Sequence, residues 1–217
     1  MGVGVFPRTA IVFVLSNYSL TFLVVGLLFS IGAIARAQKP IGQAGIVEKL
    51  LTWHIFWAIG AGYFYNFVMH GFFGKMSAAF IGWADSPLQF EVATASPGFA
   101  VVGFFAAFRS FDLRLAAIIG PALFMLGAAA GHVYQMVTEH NFAPGNAGVI
   151  FYMDIIIPLF GLMLLWLQHR YQFVGRTPKA DNAGLTLIER AYSPPPAENA
   201  SSQPGCSAPL RQMTITL

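Results

Sequence analysis

The chain has 217 residues, of which 56% are hydrophobic and only 10% charged, with 21 phenylalanines and a formal net charge of +3. A soluble domain devotes about a quarter of its residues to charge. The composition therefore excludes a soluble enzyme, a nucleic-acid binder and a disordered chain, and leaves an all-α multi-pass membrane protein. The single cysteine, Cys206, excludes a disulfide framework or a cysteine-based metal cluster within one chain.

A bilayer-spanning helix needs about 20 mostly apolar residues. Five segments meet that length, at about residues 9–35, 50–73, 88–108, 113–137 and 148–167. They are too long for strands and lack the alternation of an outer-membrane barrel. The first ends at the breaker Lys39-Pro40-Ile41-Gly42. Residues 74–85 follow the second, with Met76, Ala79, Phe80 and Trp83 on one side of a short interfacial or re-entrant helix. Ser86-Pro87-Leu88-Gln89 opens the third: Ser as N-cap, Pro at the first helical position and Gln three past the cap. Ala143-Pro144-Gly145-Asn146 turns the chain into the fifth, with Asn146 as its N-cap. Residues 1–175 are thus predicted to form a helical transmembrane domain. Residues 176–217, rich in proline and serine, form a predicted disordered tail.

Arg36, Lys39, Lys49, Arg109, Arg114, Arg170, Arg176 and Lys179 fall on one side of the predicted bundle, and only Arg8 and Lys75 on the other. Positive residues stay cytoplasmic. The expected arrangement has the N-terminus outside and the C-terminus in the cytoplasm of a cell (inner) membrane, in contact with the lipid bilayer. A cleaved leader is the rival for the first span, with Ala35-Arg36-Ala37 as the cleavage site. However, its apolar run far exceeds the usual 7 to 15 residues. Trp53, Trp57 and Trp166 are expected at the inner interface and Trp83 at the outer one.

Ionisable groups inside a bilayer cost about 2.5 to 3.5 kcal/mol on insertion scales and need an explanation. In this topology Asn66, His70, Glu91, His132, Gln135 and Asp154 all fall in the outer half, and they form the candidate ligand- or proton-binding set. Tyr63, Asn66 and His70 share a helix face, as do His132, Gln135 and Glu139. Glu91, Thr94, Ala95, Gly98 and Val102 make a small-residue face that another helix can approach closely. Gly127 and Gly131 form a second small pair. Asp154 lies roughly 12 Å down the fifth span at 1.5 Å per residue. Pro158, four residues on, deprives its carbonyl of the usual helical donor. His54 is expected at the inner interface and Asn17 as a bond between helices.

No catalytic motif is present. The leading expectation is a small-solute or ion transporter with a polar outer-half pocket, in which Glu91, His132 and Asp154 converge. One alternative is a membrane-embedded oxidoreductase or metal- or haem-binding protein using His70 and His132. The other is a non-catalytic subunit of a membrane complex, with a homo-oligomer or a membrane partner. Neither a metal nor another cofactor is specified by the sequence.

Two stretches carry a family resemblance. One is Ile81-Gly82-Trp83-Ala84-Asp85-Ser86-Pro87-Leu88-Gln89-Phe90-Glu91. The other is Gly131-His132-Val133-Tyr134-Gln135, continued by Asn141-Phe142-Ala143-Pro144-Gly145-Asn146-Ala147-Gly148 and on to Tyr152 and Asp154. Together they resemble an uncharacterised prokaryotic family of small multi-pass membrane proteins, a domain of unknown function, over roughly residues 50–167. That resemblance implies a helical membrane protein and no assigned activity.

Overall fold

The structure, a computed structural model, describes residues 5–175; the expected disordered tail lies outside the described residues. These residues form helices with no strand among them. In chain order they are α1 (Val5–Ser16), α2 (Tyr18–Arg36), α3 (Gln43–His54), a π-helical stretch (Ile55–Ala61), α4 (Gly62–Phe72), α5 (Gly74–Ile81), α6 (Leu88–Ala106), α7 (Phe111–Thr138), α8 (Pro144–Ala147) and α9 (Val149–Gly175).

Among the described residues, four helices are long and apolar enough to cross a membrane: Tyr18–Arg36, Leu88–Ala106, Phe111–Thr138 and Pro144–Tyr171. Their outer surface is apolar. Leu28, Ile31, Phe105, Leu123, Leu159 and Trp166 are all exposed. Such a continuous apolar exterior is suited to lipid and unsuited to water. This is the architecture of a multi-pass membrane protein.

The first predicted span is two helices rather than one. Asn17 leaves the helical conformation at φ −111° and ψ 43°. Its side-chain amide donates to the Phe13 carbonyl at 2.9 Å, and Thr21 Oγ1 donates to the Val14 carbonyl at 2.9 Å. Asn17 thus satisfies its own helix at a break instead of bonding to another helix. Beyond the break, α2 buries Ser19, Leu23, Gly26 and Ser30, one face at helical spacing. A Cβ on Gly26 would lie 2.9 Å from the Trp53 carbonyl, so the glycine lets the α2 and α3 backbones touch.

The run from residue 43 to 72 is helical without a gap, although its middle widens to π geometry. The π stretch packs on α6 through a mutual glycine contact. A Cβ on Gly103 would sit 2.9 Å from the Gly60 amide nitrogen, and one on Gly60 would meet the Phe104 ring at 2.7 Å. The buried face of α6 is Gln89, Ala93, Ser96, Ala100 and Gly103. The predicted close-approach face is the opposite one: Glu91, Thr94, Ala95, Gly98 and Val102 are all exposed. Both faces carry small residues, so size alone did not separate them. The Gly127–Gly131 pair is also not a tight seam, since nothing lies within 4 Å of a Cβ at Gly127.

Two apolar clusters fill the interior. One gathers Leu23, Ala58, Ile59, Tyr63, Ala100, Met125, Met153 and Ile157. The other gathers Leu51, Ile55, Ala106, Ala107, Ala117, Ile118, Leu164 and Leu165. Beside the second cluster sits an ion pair between a buried arginine and a half-buried glutamate. Arg114, only 3% exposed, donates through Nη1 and Nη2 to the two Glu48 carboxylate oxygens at 2.7 Å each. It also reaches the Ala107 carbonyl at 2.8 Å, past the end of α6. Gln168 Nε2 donates to Glu48 at 2.8 Å. One guanidinium thereby ties α3, α6, α7 and, through Glu48, α9. In the sequence Arg114 reads as one more cytoplasmic charge; in the fold it is a structural bolt.

Candidate functional site

The site begins with a docking of loops. Gly82, at φ +77°, ends α5 in the left-handed region that glycine adopts without a Cβ penalty. Asn141 covers that end: its Nδ2 donates to the Ile81 and Gly82 carbonyls, at 3.1 Å each. A Cβ on Gly145 would lie 2.6 Å from the Phe80 ring, so α8 is pressed against α5. The stretches 81–91 and 131–148, far apart in the chain, are therefore one structural unit.

At its centre is Asn146, which is fully buried. Its Oδ1 accepts from Trp83 Nε1 at 3.1 Å, and its Nδ2 donates to the carbonyls of Asn141 at 2.8 Å and His132 at 3.3 Å. An indole N–H only donates and carbonyls only accept, so this arrangement fixes which way the amide points. The same Oδ1 lies 2.7 Å from His132 Nδ1. That nitrogen must therefore carry hydrogen and donate.

The consequence falls on the other ring nitrogen. His132 Nε2 lies 3.4 Å from Asp154 Oδ2. With Nδ1–H committed to Asn146, Nε2 is the nitrogen that faces the carboxylate, and a proton on either Nε2 or Asp154 would bridge the gap. Both residues are buried, at 4% and 8% exposure, and Trp83 and Phe151 flank the ring with centroids 5.5 and 6.4 Å away. Pro158 offers no amide proton to the Asp154 carbonyl, so that carbonyl also lacks its usual helical donor.

The pair borders a cavity of about 500 Å³. Its walls are mostly apolar, from Val12, Leu15, Met69, Phe80, Phe124 and Met125. Along the π stretch and α9 the lining residues nearest His54 and Gly161 in the chain are Ala58 and Ile157, and that end is taken as the floor. Polar groups stand among them. Asn66 Oδ1 accepts from Tyr18 Oη at 2.7 Å, and Asn66 Nδ2 donates to Ser96 Oγ at 2.9 Å. His70 Nδ1 is 2.6 Å from Gln89 Oε1, which leaves its Nε2 free of that bond.

Of the predicted set, Asn66, His70, His132 and Asp154 line this one cavity. Glu91 does not join them: it is exposed on the first turn of α6. Gln135 lines a second pocket instead, with Trp83, Glu139 and Asn141. The expected convergence of Glu91 with His132 and Asp154 therefore fails at Glu91, because the helix turns that residue outward. Asn146 and Trp83 belong to the site and read in the sequence as a helix cap and a belt tryptophan. The signal that could have found them is the pairing of the two family-like stretches around them. His54, expected at an interface, is 3% exposed in the interior. Among the described residues no group of three or more His, Cys, Asp or Glu is placed to hold a metal ion.

A family model described as a family of unknown function, DUF6790, matches residues 16–173. The chain belongs to this family. No curated protein and no solved structure matches the sequence. The DUF6790 match covers the docked loops, the Arg114–Glu48 ion pair and all of the cavity lining except Val12 and Leu15. It assigns no activity.

Proposed function

We propose that this DUF6790 protein is a proton-linked carrier of a small amphipathic solute in the cell (inner) membrane. The single observation that carries it is the buried His132–Asp154 pair, Nε2 facing the carboxylate at 3.4 Å and both residues lining a cavity; in this reading the pair holds one proton between them. A volume of about 500 Å³ falls within the usual range for small-molecule sites. The mostly apolar walls favour a solute with an apolar body, and the pair, Asn66 and His70 favour a hydrogen-bonding head. A solute that donates to the Asp154 carboxylate displaces the shared proton, and one that accepts recruits it. Binding and proton exchange are then the same event.

The carrier has five spans, with α3, the π stretch and α4 together serving as the second. At 1.5 Å per residue, residues 43–72 run roughly 45 Å, enough to cross a bilayer. The N-terminus is outside, and Arg36, Lys39, Lys49, Arg109 and Arg170 mark the cytoplasmic side. That places the cavity toward the outer face. Among the described residues no group of three or more His, Cys, Asp or Glu is placed to hold a metal ion, which favours the carrier reading over a metal site built from such a group.

The test uses the full chain in nanodiscs, titrated by calorimetry with hexylamine, hexanol and hexanoate in two buffers of different ionisation enthalpy. At least one head group is expected to bind with exchange of up to one proton per chain. Asp154→Asn is expected to abolish that exchange. No binding by any of the three, or binding that is buffer-independent in wild type, overturns the proposal.

A further inference from the structure

Among the described residues, the buried side-chain polar atoms with no hydrogen-bond partner are both ring nitrogens of His54, Trp57 Nε1 and Gln168 Oε1. A buried polar group without a partner is costly, and more so where lipid replaces water. His54 is the sharpest case, because a neutral imidazole has one donor and one acceptor and here neither is used. Its surroundings are specific. The ring stands edge-on to Phe160, with centroids 5.2 Å apart. A Cβ on Gly161 would lie 2.9 Å from His54 Nε2, so a larger residue there would have to displace the ring. The Ile157 carbonyl is nearby but makes no hydrogen bond of good geometry with it.

The position of His54 in the fold is equally specific. Ala58 and Ile157 form the cavity floor. Ala58 is one helical turn beyond His54, and Ile157 one turn before Gly161, so the ring lies one turn beneath that floor. On α9, Asp154, Gly161 and Gln168 are spaced seven apart, which puts them on one face at roughly 10.5 Å intervals. The first meets His132, the second packs on His54, and the third donates to Glu48 while its own Oε1 stays open. The π-helical stretch begins at the residue after His54. Such widened turns occur often at functional sites.

We propose that His54 is the middle station of a proton path running from the His132–Asp154 pair, through water entering at the cavity floor, to Glu48 and Gln168 at the opposite end. A proton arrives on the ring nitrogen that holds a lone pair, and another leaves from the nitrogen that holds hydrogen. No electron changes place, and rotation of the ring restores the starting tautomer. On α9 the facing groups are Ile157, Phe160 and Gly161, none of them charged. The nearest titratable groups along the path are Asp154, two turns toward the cavity on that helix, and Glu48, six residues back on α3. Arg114 pairs with Glu48 and holds a fixed positive charge at that end. The relay rests on the proton-linked reading of the cavity and extends it to the other side of the bundle.

The experiment places the full chain in liposomes with an imposed pH gradient, a valinomycin-clamped potential and an internal pH dye. Wild type is expected to admit protons at least tenfold faster than empty liposomes. His54→Ala is expected to fall to the empty-liposome rate, and to recover with added imidazole but not with pyrrole, a ring of the same size that does not titrate. His54→Gln fills the space without a titrating ring and is expected to stay at the empty-liposome rate. Wild-type conduction in either variant overturns the relay. So does recovery with both rings or with neither, since His54 would then be a packing group. Wild-type liposomes as tight as empty ones, with proton exchange at Asp154 intact by calorimetry, overturn the relay alone. Loss of that exchange overturns the cavity reading instead.

Discussion

Replacing Asn146 by alanine is the most informative single change to the docked loops. Asn146 makes four hydrogen bonds: to Trp83, to His132 Nδ1, and to the carbonyls of His132 and Asn141. Inter-helix hydrogen bonds in membrane proteins average about 0.6 kcal/mol, and those in soluble proteins about 1. Loss of all four therefore costs about 2 to 4 kcal/mol, with the orphaned, buried His132 ring favouring the upper half. Trp83→Phe removes one of the same bonds while keeping most of the ring, so its cost is about 0.6 to 1 kcal/mol. Reversible unfolding in mixed micelles, followed by far-UV circular dichroism, measures both. Asn146→Ala is expected to destabilise the fold by at least twice as much as Trp83→Phe. Equal effects would show that the asparagine is no hub, and the deduction of the His132 tautomer would fall with it.

Two further outcomes follow from other parts of the fold. Glu48 accepts from both Arg114 terminal nitrogens at 2.7 Å each and from Gln168 Nε2 at 2.8 Å. Glu48→Gln leaves the buried Arg114 guanidinium without its counter-charge and is expected to cost about 3 to 5 kcal/mol. Equilibrium unfolding of the two proteins at pH 7 measures it, and a loss below about 1 kcal/mol contradicts the ion pair as a structural bolt. Gly145→Ala drives a methyl group to 2.6 Å from the Phe80 ring and 2.7 Å from the Phe80 carbonyl, at a cost of about 1 to 3 kcal/mol. Gly127→Ala meets nothing within 4 Å and is expected within about 0.5 kcal/mol of wild type; thermal unfolding of the two side by side checks the contrast.

Much of the fold is legible in the sequence because a bilayer imposes a simple rule. Long apolar runs must be helical, so Leu88–Ala106 and Phe111–Thr138 fall within two to three residues of the predicted spans at most ends. The break at Asn17 was not legible, since an apolar helix and an apolar helix with a kink have the same composition. The face of α6 was misassigned for a related reason. Ala93, Ser96 and Gly103 look inward, whereas Ala95 and Gly98 look outward, and residue size does not distinguish them. In water, polarity marks the outside of a helix. In lipid both faces are apolar, and that marker disappears.

The candidate site divides along the same line. Helical spacing was enough to put Asn66 with His70, and intramembrane polarity was enough to single out His132 and Asp154, because periodicity and solvation are properties of one segment. Whether residues from different segments meet depends on how helices are rotated and docked, which no single segment encodes. Only the packing of the helices against one another could make Asn146 a hub, turn Glu91 to the exterior, lock Arg114 onto Glu48 and leave His54 unpartnered in the interior. The chain by itself determined the membrane-suited helices and a short roster of costly polar groups. Tertiary structure decided which of those groups meet, because hydrogen bonds act over about 3 Å and sequence separation says nothing about distances that small.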